Sequence, residues 1–176
     1  MAPSPATVPS PHPLRIAGWS IAAALLVAPA IAMHFTDEVD WTAGDFAFAA
    51  IMIGGFGLLV EWFVRQSADW CYRAAMLIAL AVSFAILWSN AAVGIIGEPD
   101  HPANLAYIAV IALAALGTIA ARLRAPGMAR AMTAAALAQG ACVGLAIAFD
   151  PVAAIPTLFF ACGWAASALL FRAAKG

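Results

Sequence analysis

Charge is what this sequence has least of. Only eight of its 176 residues are Lys or Arg and nine are Asp or Glu, 10% in all, whereas a water-soluble domain carries about 25%. With 65% hydrophobic residues and a mean hydropathy of +0.97, the chain lacks the polar surface to enclose its apolar content in water, which excludes an ordinary soluble domain. A net charge of −1 and the lack of any basic run exclude a nucleic-acid surface. The three cysteines, Cys71, Cys142 and Cys162, have no C-x-x-C spacing and read as small hydrophobes rather than as disulfide, redox or metal residues. No histidine lies within an apolar run, which excludes a bis-histidine haem. Gly-x-Ser-x-Gly, HExxH, Walker A and GxGxxG patterns are missing. No cofactor, metal or catalytic constellation is expected, so the reading is of a protein that is not an enzyme.

What is present is a series of long Ala-, Leu- and Ile-rich stretches. Lipid offers no partner for a backbone N–H or C=O, so such stretches cross a bilayer as helices or as a closed barrel. Barrel strands would alternate over about 10 residues, and these runs do not. The expected fold is all-α, a six-span transmembrane helical bundle. Its spans are placed at about 16–33, 43–64, 74–96, 103–121, 128–149 and 151–171. Thr42-Ala43-Gly44-Asp45 reads as a capping box at the second start. Pro102 and Asp150-Pro151 mark the fourth and sixth, where a missing N–H costs nothing. Residues 1–15 form an expected disordered, proline-rich tail, 16–172 a single membrane domain, and 173–176 a second tail. A cleaved signal peptide is the competing reading of the first span, although its apolar run is long and its leader atypical.

Basic residues are retained on the cytoplasmic side of a membrane. Arg15, Arg65, Arg73, Arg122, Arg124, Arg130, Arg172 and Lys175 all fall at one set of span ends. The opposite ends carry Asp37, Glu38, Asp40, Asp45, Glu98, Asp100 and Asp150. This segregation predicts six spans with both termini cytoplasmic. Trp19, Trp41, Trp62 and Trp70 lie near span ends, as interfacial anchors do, and Trp88 and Trp164 lie deeper. Small residues allow helices to approach closely. Ala136, Gly140, Gly144 and Ala148 form a four-residue-spaced row expected to pack inside the bundle, with a homodimer seam as the alternative. Gly117 with Ala121, Ala50 with Gly54, and Gly163 with Ser167 are shorter versions.

Polar groups inside a membrane are costly, so each is a functional candidate. Asn90 and Gln139 read either as interhelical hydrogen bonders or as the lining of a small polar cavity. Glu61, with Arg65 at i+4, reads as a helix ion pair at the inner interface. A proton relay is the other reading, and it needs a second station. His34, Asp37, Glu38, Trp41 and Asp45, with Glu98, Asp100 and His101, make the outer connections unusual. Carboxylates and imidazoles together suit a divalent cation, but the spacing matches no defined site. Outer loops also become acidic simply because basic residues are kept from them, and Asp45 and Asp150 read as caps.

The segments FTDEVDWTAGDF (35–46) and NAAVGIIGEPDHPANLAY (90–107) resemble FTDEVxWTxxDF and NxAVGIIGxxxxPANL stretches in a family of small uncharacterised bacterial integral membrane proteins. The resemblance implies a bacterial cytoplasmic (inner) membrane. It directs attention to Asp37, Glu38, Trp41, Asp45, Asn90, Gly94, Gly97, Pro102 and Asn104, and brings no activity with it. The expected function is that of a non-enzymatic accessory or scaffold acting through an acidic outer face, with the lipid bilayer and other membrane proteins as partners. The alternative is a small transporter or channel with a polar path at Asn90, Gln139 and Glu61.

Overall fold

A computed structural model describes residues 12–174. The expected tail over residues 1–11, and Lys175 of the second tail, lie outside the described residues. The chain is helical: α1 His12–Ala32, α2 Ala43–Val64, α3 Trp70–Ala92, α4 Leu105–Ala121, α5 Ala125–Phe149 and α6 Ala154–Ala173. Short 3-10 turns at Pro102–Asn104 and Pro151–Ala153 lead into α4 and α6. All six helices are long and apolar enough to cross a membrane. The residues cluster in two compact units, Met1–Leu58 and Leu59–Gly176.

In the first unit α1 starts at His12, not at Ile16, so residues 12–15 are helical where a tail was expected. Pro13 falls in the first turn, where its missing N–H removes no helical bond. The Trp19 indole lies against Gly57, and a Cβ added there would stand 3.1 Å from the ring. The expected capping box opens α2. The Thr42 N–H and hydroxyl both donate to Asp45 Oδ2 at 2.7 Å, and the Asp45 N–H donates back to Thr42 Oγ1 at 3.3 Å.

In the second unit α5 packs against both α4 and α6, α6 against α3, and α3 meets α4 lightly. Trp164, Tyr107, Phe171, Ile86, Met128 and Met132 fill its centre, each less than 2% exposed. Three close approaches set the helix spacing. A Cβ on Gly163 would stand 2.5 Å from Val82 Cγ2, one on Gly117 2.6 Å from Ala131 Cβ, and one on Gly127 2.7 Å from Ala121 Cβ. Hydroxyls tie the same helices together. Ser167 Oγ donates to Ala75 O at 2.8 Å, and Tyr107 and Thr157 share a bond of 2.7 Å. Tyr72 donates to Leu123 O at 2.9 Å and secures the α4–α5 turn. That turn is tight enough to force Arg122 and Leu123 into positive φ, 48° and 59°.

Two expectations need correction. α3 spans Trp70–Ala92, not 74–96. Asp69 Oδ1 accepts the Tyr72 N–H at 2.9 Å and caps the helix early. At the other end Gly94, with φ +77°, turns the chain before Ile95 and Ile96. Of the row Ala136, Gly140, Gly144 and Ala148, Ala136 packs against the core and the other three are exposed; a Cβ on either glycine would meet nothing within 4 Å. Periodicity identified one face of α5 correctly, but the face that packs is the one carrying Ala131, Ala135, Gln139, Cys142 and Ala146.

A leucine at Gly163 must therefore displace Val82 or separate α3 from α6. Overpacking costs roughly 1–3 kcal/mol. Thermal unfolding in detergent should show Gly163→Leu well below the parent, and Gly140→Leu within error of it.

Candidate functional site

The α1–α2 connection and the first turn of α2 hold five of the expected site residues. His34, Asp37, Glu38 and Asp45 are exposed and Trp41 is half-buried. A carboxylate at Asp45 has its Oδ2 committed to two bonds from Thr42, so its work is to start a helix. Trp41 packs edge-on against Phe46, ring centroids 5.2 Å apart. The connection is further shaped by the Glu38 N–H donating to Thr36 Oγ1 at 3.1 Å.

The α3–α4 connection is built around Asn104, which is 4% exposed. A side-chain amide has two N–H donors and two acceptor lone pairs, and all four are used here. Oδ1 accepts the N–H groups of Ile95 at 3.3 Å and Ile96 at 2.9 Å. Nδ2 donates to Ile96 O at 3.2 Å and Glu98 O at 2.9 Å. These bonds satisfy backbone groups freed where α3 has ended, and they hold Ile95 and Ile96 in the core at 8% and 1% exposure. Gly94 makes the turn possible, because a Cβ there would stand 2.7 Å from both Gly97 O and the Glu98 carbonyl carbon. His101 Nδ1 accepts the Ala103 N–H at 3.2 Å, and its ring lies edge-on to Phe149 at 5.4 Å. Glu98 and Asp100 are left exposed on this fixed loop.

Among the described residues no three His, Cys, Asp or Glu side chains gather as a metal site would require. His101 spends one ring nitrogen on a cap and Asp45 one oxygen on another. The acidic character of these connections is thus partly structural.

The three polar residues expected within helices differ from one another. Glu61 pairs with Arg65 Nη2 at 3.3 Å, the expected i,i+4 arrangement, with its side chain 19% exposed. Asn90 makes no interhelical bond. Its Nδ2 donates to Ile86 O of its own helix at 3.0 Å, and its Oδ1 has no partner. Because α3 ends at Ala92, Asn90 lies in the last turn rather than two turns deep. Gln139 is 0% exposed, and neither its Oε1 nor its Nε2 has a hydrogen-bond partner. Trp164 Nε1, likewise buried on the facing helix α6, is also unpartnered.

Interhelical bonding falls instead to Ser167, Thr157 and Tyr107, which the sequence reading did not single out for it. The available signal was hydroxyl type: Thr157 also donates to Ala153 O at 2.6 Å, so a hydroxyl can satisfy itself on its own helix and still face a neighbour.

Asn104→Ala would orphan three backbone groups, since Glu98 O keeps the His101 N–H at 3.0 Å, each costing about 1–3 kcal/mol if it stays buried. Hydrogen exchange should accelerate across residues 94–104 while α5 remains protected, and Gly94→Ala should do the same. Gln139→Leu replaces an unbonded buried amide by an apolar side chain of similar size. It should raise thermal stability in detergent by roughly 1–2 kcal/mol.

Comparisons with protein-family models, curated proteins and solved structures gave no match to this chain.

Proposed function

We propose that this is a multi-pass integral membrane protein of a bacterial cytoplasmic membrane, with both termini inside. It acts without catalysis, as an accessory or scaffold to other membrane proteins through its acidic outer connections. Six apolar helices and the gathering of every basic residue at one set of span ends, with seven of the nine acidic residues at the other, support the membrane setting and orientation. The likeness of residues 35–46 and 90–107 to segments of bacterial integral membrane proteins supports the organism class.

One observation carries the accessory reading. The α3–α4 connection is fixed by Asn104 and by glycines at positive φ, while Glu98 and Asp100 stand exposed and contribute no side-chain bond to its shape. A loop whose order does not depend on its carboxylates can offer them to a partner without ordering cost at the moment of binding. Charge complementarity of this kind gives specificity and rapid association.

The full chain purified in mild detergent should bring down a stoichiometric membrane partner. Asn90→Ala should leave that complex intact. Asp37→Lys or a Glu98→Lys, Asp100→Lys double substitution should weaken it roughly tenfold or more, about 1.4 kcal/mol. Recovery of the chain alone, or indifference to all these charge reversals, sinks the accessory reading. Reporter fusions after residue 40 and after residue 100 should both register outside the cytoplasm, and a cytoplasmic signal from either overturns the orientation.

Gln139 favours a second reading, a small transporter or channel. A fully buried amide without a hydrogen bond is expensive to keep, and such groups inside membrane helices mark conduction pathways. Under this reading Gln139→Leu and Asn90→Ala abolish flux in reconstituted vesicles, with the Gln139 variant inactive although more stable.

A further inference from the structure

We propose that the groove between the end of α6 and the start of α5 is a binding site for the phosphate headgroup of an anionic phospholipid. The groove encloses about 380 Å³ and is lined by Pro126, Ala129, Arg130, Phe171, Arg172 and Ala174. Arg130 and Arg172 thus both line one depression whose other lining residues are apolar. Neither arginine pairs with a carboxylate among the described residues. Instead each is tethered by one nitrogen to a neutral oxygen. Arg130 Nε donates to Pro126 O at 3.2 Å, and Arg172 Nη2 donates to Thr133 Oγ1 at 3.2 Å. Thr133 in turn donates to Ala129 O at 2.7 Å, so its oxygen is oriented to accept.

With one nitrogen of each so engaged, the two terminal amino groups of Arg130, and Nε and Nη1 of Arg172, are left for another acceptor. Planar guanidinium groups match phosphate oxygens in charge and geometry. The groove also lies at the N-terminal end of α5, where the helix dipole adds positive potential. Arg124, its N-cap residue, supplies no side-chain cap.

The apolar surface beyond the groove distinguishes a lipid from a free anion. Arg130, Ala134 and Leu137 share one face of α5 at i, i+4 and i+7, and Arg172 and Leu169 share one of α6. Ala134 is exposed, and Leu137 and Leu169 are 72% and 61% exposed. An anionic head at the arginines therefore has an apolar track leading from it along both helices, the combination that basic pockets between membrane helices present to anionic lipids. The proposal rests on the membrane reading above and specifies one lipid contact within it.

The test uses the full chain, delipidated in non-ionic detergent and titrated with phosphatidylglycerol, phosphatidylcholine or inorganic phosphate. Phosphatidylglycerol should raise the unfolding temperature by roughly 5 °C at saturation, with little response to the other two. An Arg130→Gln, Arg172→Gln double substitution should lose most of that shift. An Arg122→Gln, Arg124→Gln double substitution, which removes the same charge from the same end outside the groove, should keep it.

An equal response to both lipids, or an equal loss in both double variants, overturns the proposal. A shift reproduced by inorganic phosphate assigns the groove to a free anion and overturns the lipid occupant. Should the first double variant fail to fold, native mass spectrometry of Arg130→Gln and Arg172→Gln singly replaces it: retained phosphatidylglycerol adducts at parental levels would refute the site. Cytoplasmic signals from the reporter fusions would instead strike the membrane orientation itself, so the two failures are separable.

Discussion

At three places where helices of the α3–α6 unit meet there is no room for a methyl group. Gly163 meets Val82, Gly117 meets Ala131 and Gly127 meets Ala121, each so closely that an added Cβ would overlap its neighbour. The unit's packing follows from these contacts. Against lipid, helices so apolar would gain little from burying side chains on one another, and close approach with good van der Waals contact would replace that drive. The three contacts fix α6 on α3 and α4 on α5. The shared flank of α5 and α6 then closes over Gln139, Trp164 and Phe171. The Ser167–Ala75 bond joins the same two helices as the Gly163–Val82 contact, while Tyr107–Thr157 ties α4 to α6.

The sequence announced some of this plainly and hid the rest for identifiable reasons. Six helices were legible because apolar length alone identifies them. The start of α2 was legible because Thr42 and Asp45 are a local device whose geometry depends on nothing distant. The pairs Gly117–Ala121 and Gly163–Ser167 were rightly read as packing positions, yet the more regular row on α5 turned outward. Spacing shows that residues share a face and is silent about which face a neighbour covers, and in an Ala-rich helix several faces are small. The end of α3 was overrun by four residues because Ile95 and Ile96 continue the apolar pattern. They are buried as loop residues, held there by Asn104 eight and nine positions later.

The candidate site was read with similarly mixed success. At the acidic connections Asp45 is the cap its spacing predicted, and His101, offered by its residue type as a ligand, also caps a helix. Glu61 and Arg65 were recoverable from their i,i+4 spacing, which is again local. The groove at Arg130 and Arg172 was not, since it joins residues forty-two positions apart, and both arginines had been counted only as markers of orientation. Both are exposed, and each donates a side-chain hydrogen bond to a neutral oxygen, Pro126 O and Thr133 Oγ1.

Asn104 and Gln139 carry the same chemical group and meet opposite fates, and backbone regularity accounts for the difference. Within a helix the backbone has consumed its own N–H and C=O groups, so a buried amide finds nothing to bond unless a neighbouring side chain supplies it. Gln139 is in that position on α5, and Asn90 is halfway to it, borrowing one carbonyl from its own helix. Where the chain leaves the helix, as it does after Ala92, backbone groups are released together within a few residues. One amide of fixed shape can then satisfy four of them at once. Asn104 is therefore cheap to bury and sets the form of the loop, whereas Gln139 is costly to bury and contributes no bond to the fold. That asymmetry makes the exposed carboxylates beside Asn104 a structurally secured surface, and makes Gln139 the residue whose presence the fold alone does not explain.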